Sequence, residues 1–272
     1  MNICAVVVWY NPDSSFVENI LSYSSYCEKV YIVDNSISDN AVLCSKIQNA
    51  VYIPNFDNFG IAKALNQGCE KALSDGFEWC MTMDQDSSWE KEMLCRYISF
   101  CDECKSEKNV SFAPSFTNKS GTEIISVNKV ITSGNIINLE AINLEAWKNV
   151  GKFYEPFFID EVDFEFCYRL REHNYEITQI CSIHMNHHLG TGKKHILPLL
   201  CHDGVRLYYM IRNALFIKNM HPRFYEEEHY ARWLCYFSFR IIIESLLRFK
   251  VKNIFNLIYA YRDFSINKKG RF

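Results

Sequence analysis

The chain contains no apolar run near the roughly 20 residues needed to cross a bilayer. Its opening, MNICAVVVWYNP, has neither a basic leader nor a small-residue cleavage site. Both absences point to a cytoplasmic protein without a membrane span. With 6 Pro and 10 Gly in 272 residues there is no Pro/Gly/Ser-rich linker, low-complexity tract or internal repeat, which excludes a disordered chain and a solenoid. A large excess of one charge is also missing, since the net charge is −3. Paired cysteine ligands are lacking too. CDEC at Cys101 to Cys104 has redox or zinc spacing, but no second pair follows it, and a structural zinc site needs four ligands.

What is present describes a globular enzyme-sized body: 49% of residues are hydrophobic and 22% charged, enough to bury a substantial core. The 12 cysteines are scattered through apolar stretches such as NICAVVV and EWCMTM and read as buried reduced thiols. The small net charge hides an asymmetry. Residues 201–272 hold 13 Lys and Arg against 6 Asp and Glu, a local charge of +7, so residues 1–200 carry −10. An acidic body with a basic tail argues against nucleic acid as a partner.

Over residues 1–116, ICAVVVWY, KVYIVDNS, AVYIPN, FEWCMTMD and VSFAPSF read as strands separated by helical patterns. Near-continuous apolar strands with intervening helices predict an α/β fold, a mostly parallel sheet covered on both faces. In such sheets ligands bind beyond the carboxyl ends of the strands. Three strand ends carry polar groups (Asn11; Asp34 and Asn35; Asp84 and Asp86) and are expected to converge on one crevice. Residues 117–200 complete the same domain with short strands (SVNKVITSGNIINL, YEITQI, SIHMNHH) and two short helices (LEAINLEAWKNVG, EVDFEFCYRLREH). Residues 201–272 form a helical appendage of two or three aromatic and basic helices.

Several constellations carry chemistry. In MTMDQDSS, Asp84 and Asp86 stand one residue apart and project together from a strand end. Hard oxygens so placed suit Mg²⁺ or Mn²⁺; the bland alternative is a solvated turn in which Ser87 or Ser88 caps a helix beginning at Trp89. In NFGIAKALNQG, Gly60, Ala64 and Gly68 form a small-residue stripe that admits another backbone or a ligand, and the helix start offers free N–H groups to an anion. FFIDEVDFEFCYRLR leads from apolar residues into Asp160, Glu161, Asp163 and Glu165. This is either an ordinary charged helix, with Arg169 four residues from Glu165, or the source of a general base poised by partial burial.

In this order the motifs VVVWYNP, VDNS, NFGIAKALNQG, MTMDQDSS, SGN, FFIDEVDFEFCYRLR, HHLG and YYMIRN resemble bacterial family 2 glycosyltransferases of GT-A fold, over residues 3–217. They are most similar to the rhamnosyltransferase-like branch that builds O-antigens and capsules. The resemblance implies a Rossmann-like nucleotide-sugar half over 1–116 and an acceptor and catalytic half over 117–200. Asp34 would hold the pyrimidine, with Asn11, Asn35, Asn58, Gly60, Lys63 and Gln85 around the nucleotide sugar. Asp84 and Asp86 would bind the metal, together with His187 or its neighbour His188. Asp163 would be the base, with Val162 where the family has an acid, so that Asp160 or Glu161 shares the work. Arg212 and Asn213 would lie near the diphosphate or acceptor, and Gly134, Asn135, Asp160 and Tyr209 at the acceptor.

The implied reaction is inverting transfer of a sugar, L-rhamnose from dTDP-L-rhamnose, to a lipid-linked oligosaccharide or polysaccharide. A UDP-hexose such as UDP-galactose is the alternative donor, and a catalytically silent nucleotide-binding subunit the alternative of another class. A sugar-1-phosphate nucleotidyltransferase would need a Gly-rich loop bearing Arg or Lys after the first strand, which WYNPDSSF lacks. The basic aromatic tail is expected to lie peripherally on the inner face of the cell membrane; a packing lid or a homo-oligomer interface are the other readings.

Overall fold

The structure, a computed structural model, describes residues 1–115, 124–139, 150–187 and 204–272. Four apolar runs build its first half: β1 (Ile3–Trp9), β2 (Val30–Asp34), β3 (Ala50–Pro54) and β4 (Trp79–Asp84). β1 lies between β2 and β4, and β3 joins the far side of β2, all in parallel. Such pairing needs crossovers, and the helical patterns between the strands supply them as α1 (Ser14–Ser24), α2 (Ala41–Cys44) and α3 (Ile61–Ser74). Asp13 caps α1 by accepting a hydrogen bond from Ser15 N at 2.8 Å.

The second half adds β6 (Asn109–Ser115), β7 (Ile124–Ser126), β8 (Asn135–Asn138) and β9 (Glu176–His184), giving an eight-stranded sheet in the order β3-β2-β1-β4-β8-β6-β9-β7. β8 runs antiparallel between β4 and β6. SVNKVITSGNIINL is therefore strand only at its two ends, Ser126 closing β7 and Asn135–Asn138 forming β8, and the chain turns between them. Gly134 in that turn has φ +76° and sits so close to its neighbours that a Cβ would lie 2.8 Å from Pro114 Cγ and 2.9 Å from Met185 Sδ.

The two faces of the sheet are read by alternation. Cys4 and Val6 of β1 join α3, α5 (Val162–Glu172) and α6 (Val205–Met220) in one core, while Ile3, Ala5, Val7 and Trp9 join α1 and α4 (Lys91–Cys104) in the other. Beyond α6 come α7 (Pro222–Glu227), α8 (Tyr230–Leu247) and α9 (Val251–Ser265), so residues 204–265 hold four helices. Two or three were expected because the His221–Pro222 break shortens a helix that hydropathy alone would continue. Ser87 and Ser88 do not cap a helix; they form β5 (Ser87–Ser88), paired with β10 (Asn186–His187), and α4 starts at Lys91. Residues 140–149 of LEAINLEAWKNVG lie outside the described residues, as does His188.

Cysteines 101 and 104 are free thiols, the first buried. Gly68 shows why the small stripe exists: a Cβ there would lie 2.4 Å from Val6 Cγ1 in the central strand. Replacing Gly68 by alanine would gain about 1 kcal/mol of helix propensity but overpack the helix against the sheet at a cost of about 1–3 kcal/mol. A net loss is therefore expected for Gly68→Ala, read as a lower urea midpoint at unchanged slope.

Candidate active site

Register places the polar strand ends side by side. Trp9 of β1 pairs with Asp34 and Val8 with Asp84, so the backbones of the two aspartates stand two strand spacings apart, about 10 Å. Their carboxylates leave on opposite faces. Asp34 follows Val30 and Ile32 toward α1 and α2, whereas Asp84 follows Cys80 and Thr82 toward α3 and α5.

On the Asp84 side, acids act on one another: Asp86 on Asp84, and Asp84 on Asp163. β4 ends at Asp84, half-buried Asp86 follows two residues on, and α5 brings Asp163 in its first turn. The turn at residues 132 and 133 lies between them. Ser133 Oγ accepts from Asp84 N at 3.2 Å, and Thr132 N donates to Asp163 Oδ2 at 3.2 Å. Burial pushes the Asp163 carboxyl up to about 7; the backbone N–H of Phe164 draws it back and the charge of Asp84 raises it further. Asp84 also rises to about 7, through burial and then the charge of Asp86, with Arg206 opposing.

The residues before α5 are held in an unusual backbone. Phe158, Asp160 and Glu161 all have φ between 61 and 66°, a left-handed region that non-glycine residues rarely adopt. Asp160 takes an ion pair from Arg206 Nε at 3.1 Å; burial raises its carboxyl and the guanidinium lowers it. Glu161 accepts from Tyr230 OH, and burial pushes it up to about 7 against that hydrogen bond.

Other expected site residues are placed differently. Arg212 is fully buried, and its five N–H groups go to Asn213 Oδ1, Tyr208 OH and the carbonyls of Gly270, Pro156 and Phe157. No donor remains for a diphosphate, and Asn213 likewise gives its amide to the carbonyls of Phe157, Ile159 and Asp160. Tyr209 is 2% exposed, stacked on Phe158, with its hydroxyl accepting from Phe272 N. Asn135 is buried in β8 and accepts from Ser111 Oγ, and Gly134 packs on Pro114. Arg212, Asn213, Tyr209 and Asn135 thus have their hydrogen-bonding partners within the protein, as buried polar groups require.

On the nucleotide side, Asp34 is 1% exposed and accepts from Ser36 N, Asn40 Nδ2 and Tyr52 OH. Asn35 bonds Gly60 O and Asn55 Nδ2, which fixes it in the structure. Gln85 clamps both the N–H and carbonyl of Tyr10, so its amide ties the ends of β1 and β4 together. Asn11 is exposed at φ 49°, with its N–H on Ser36 Oγ. Asn58 accepts from Gly60 N, and Lys63 Nζ lies 4.0 Å from the Phe59 ring centroid. At the start of α3 the first N–H is taken from within the protein: Ile61 N donates to Phe158 O at 2.7 Å, and a Cβ on Gly60 would lie 2.5 Å from that oxygen. The close visitor is the backbone before the acids.

Among the described residues no three His, Cys, Asp or Glu are grouped to hold a metal. The oxygen donors at the strand end are Asp84 and Asp86, and the β5–β10 register sets His187 across from Ser87, one residue beyond Asp86. The residues missed by pattern are those that act through contact: Arg206, Thr132, Ser133, Tyr230, Tyr52 and Asn40. Ser133 stood in SGN without a role of its own, and Arg206 left a trace as a cation in the first turn of a helix, where the macrodipole disfavours it.

The raised carboxyls give a stability signature. A buried acid whose pKa lies near 7 when folded and 3.8 when unfolded binds its proton more tightly in the native state, so stability falls as pH rises between those values and stays low above them. Asp84→Asn removes one such charge. It should raise stability at pH 8, with chelator present, by on the order of a few kcal/mol, and the gain should shrink toward pH 4. A gain that did not depend on pH, in urea unfolding at the two values, would contradict this electrostatic account.

Residues 5–119 match the model of glycosyl transferase family 2. The chain is 28% identical to dTDP-rhamnosyl transferase RfbF of Shigella flexneri over 244 residues, 79% of each protein. Its fold is similar to that of S. aureus TarS residues 1–349 (TM-score 0.58, 18% identity, 97% of this chain and 80% of that one). A longer TarS structure is similar at TM-score 0.61 and 17% identity, over 97% of this chain and 48% of that one. With the α/β sheet and its acid-lined strand ends, these likenesses support a glycosyltransferase with a GT-A fold, similar over residues 5–119 to family 2.

Proposed function

We propose that this enzyme is an inverting rhamnosyltransferase that moves L-rhamnose from dTDP-L-rhamnose to a hydroxyl of a growing bacterial surface polysaccharide, with Asp163 as general base. The observation that carries the mechanism is Asp163 itself, a half-buried carboxylate at the start of α5 whose acidity responds to the charge of Asp84 at the end of β4. Its sugar is taken from the name of the Shigella flexneri relative.

Asp163 is suited to the role in geometry and acidity. Each carboxylate oxygen accepts one backbone N–H, from Phe164 at 3.0 Å and Thr132 at 3.2 Å, which fixes the group and leaves lone pairs for an acceptor hydroxyl. A pKa pushed to about 7 leaves it partly ionised and more basic than an ordinary carboxylate near neutral pH. In the transfer, the acceptor oxygen forms a bond to the anomeric carbon from the face opposite the diphosphate. The anomeric C–O bond breaks with its electron pair going to the diphosphate, and the hydroxyl proton passes to Asp163. One protein acid is enough, so Glu161 and Asp160 need not react.

Asp84 and Asp86 would hold a Mg²⁺ or Mn²⁺ ion, with His187 in sequence position to add a third donor. Two hard carboxylates fit these ions, whose remaining positions water and substrate phosphates commonly fill. When bound, the ion offsets the charge of the departing nucleoside diphosphate. The nucleoside would lie across the end of β1 toward Asp34 and Asn11.

Binding to the membrane surface is part of the same reading, because a lipid-linked acceptor is presented there. α8 and the turn after it expose Tyr236, Phe239, Ile243, Leu247 and Phe249, the last at 91%, beside Arg248, Lys250 and Lys252. None of the helices among the described residues is long and apolar enough to cross a membrane, so the contact would be interfacial.

Two measurements test the proposal. Calorimetric titration with dTDP and UDP, with and without Mn²⁺, should show metal-dependent binding of dTDP that Asp86→Ala weakens. Asp163→Asn should leave that binding intact and reduce transfer by about 10²–10⁴-fold; unchanged turnover would remove the base, and preference for UDP would change the donor. For the surface, the protein should sediment with phosphatidylglycerol vesicles, and Leu247→Glu with Phe249→Glu should release it. A concentration-dependent dimer that ignores vesicles would instead assign the face to a second copy.

A further inference from the structure

Asp84 feels the charge of Asp86, Asp163 that of Asp84, and Glu161 that of Asp163 and Asp160, and acids so linked repel a donor that is itself an anion. Most neighbouring cations are engaged elsewhere. Arg212 is buried with all five N–H groups bonded. Lys129 pairs with Glu228, Arg271 with Asp57, and Lys63 lies over Phe59. Arg206 differs from them in three respects. Its Nε lies 3.1 and 3.4 Å from the two oxygens of Asp160, while no hydrogen bond from either Nη group is found among the described residues. Its side chain is 48% exposed although Asp160 is only 12% exposed. Its charge favours the ionised forms of both Asp84 and Asp160, so it stands between the strand end and the acid-bearing turn.

A guanidinium in the first turn of α6, which has no acidic residue there to balance it, is disfavoured by the helix dipole. The Asp160 pair compensates through one edge only. The Nη edge, a planar fork that matches a phosphate's oxygens in bidentate fashion, is left to a ligand. We propose that Arg206 is the protein's cation for the donor diphosphate, and that Asp160 is a positioning residue which seats its Nε edge so that the Nη edge meets the phosphates. The inference rests on the nucleoside-diphosphate donor proposed above, and it moves the phosphate contact from Arg212 to Arg206.

The test is titration of wild type, Arg206→Gln, Arg206→Lys and Asp160→Asn, in Mn²⁺, with whichever of dTDP and UDP the wild type binds and with the matching nucleoside. Arg206→Gln should weaken the diphosphate about 10-fold to 100-fold, the scale of a lost charge-assisted pair, and leave the nucleoside unchanged. Arg206→Lys, which keeps the charge without the fork, should fall between, and Asp160→Asn should weaken the diphosphate less than Arg206→Gln. Equal diphosphate affinity in Arg206→Gln, or an equal loss for nucleoside and diphosphate, overturns the role of Arg206 while the donor reading stands. A wild type that binds neither diphosphate overturns both.

Discussion

The acid-bearing turn is held by its own carbonyl groups, and the donors that hold them come from one buried pair on α6. Arg212 takes the carbonyls of Pro156 and Phe157, and Asn213 takes those of Phe157, Ile159 and Asp160. From the other side, Ile61 N takes Phe158 O. Five consecutive carbonyls are thereby fixed from α6 and α3 together. A fully buried guanidinium is tolerated only because every N–H is bonded and its charge lies about 5 Å from the Tyr208 and Tyr209 ring centroids. Tyr208 passes the arrangement on by donating to buried Asp263. Breaking such a buried ion-centred network by removing one member typically costs about 3–5 kcal/mol, so this clamp weighs on the fold as well as the site.

The clamp has a chemical consequence. Left-handed φ at Phe158, Asp160 and Glu161 costs of order 1–3 kcal/mol at each residue, and the chain would relax toward an ordinary helix start without restraint. In a relaxed first turn Asp160 and Asp163, three residues apart, would share one solvated helix face. Here the acids are sent apart: Asp160 to Arg206, Glu161 to Tyr230, and Asp163 toward Asp84 and the turn at Thr132. Each therefore meets a different environment, and environment decides protonation. Glu161 and Asp163 both rise to about 7, but Glu161 has a hydroxyl donor on it whereas Asp163 has only backbone N–H groups. That difference favours Asp163 as the group free to take a proton.

The sheet was legible in the sequence wherever the signal was local. β1 to β4 coincide with apolar runs, and their order places Asp34 and Asp84 beside the end of β1. α3 and α5 follow from their patterns, as does the Glu165 to Arg169 pair at 2.7 Å. What failed was long-range. Nothing in SVNKVITSGNIINL says that β8 will insert antiparallel between β4 and β6, because register is set by partners distant in the chain. YYMIRN carries an arginine that pattern reads as a phosphate ligand, yet burial converts it into a clamp. The nearby Arg206, six residues earlier and half exposed, carries no pattern beyond its awkward place at a helix start. Small residues were ambiguous in sequence for a physical reason: Gly60 admits a backbone and Gly68 admits a strand, and both leave the same spacing.

The division of labour along the chain follows from where these contacts originate. The carboxylates at the strand ends, Asp34, Asp84 and Asp86, lie within residues 5–119, the span matched by the family model. The acids that would act on an acceptor, and nearly everything that shapes them, lie beyond it. α6 contributes Arg206, Arg212 and Asn213, and α8 contributes Tyr230. The segment after α9 returns to the same place, where Gly270 N donates to Pro156 O and Lys269 Nζ to Tyr154 OH. The C-terminal helices are thus part of the acid site's scaffold, and α6 shares a continuous core with β1 and α3. The turn at residues 156–163 is thereby fixed from three directions, by α6, by α3 and by the segment after α9, so the placement of its acids depends on the helical half of the molecule.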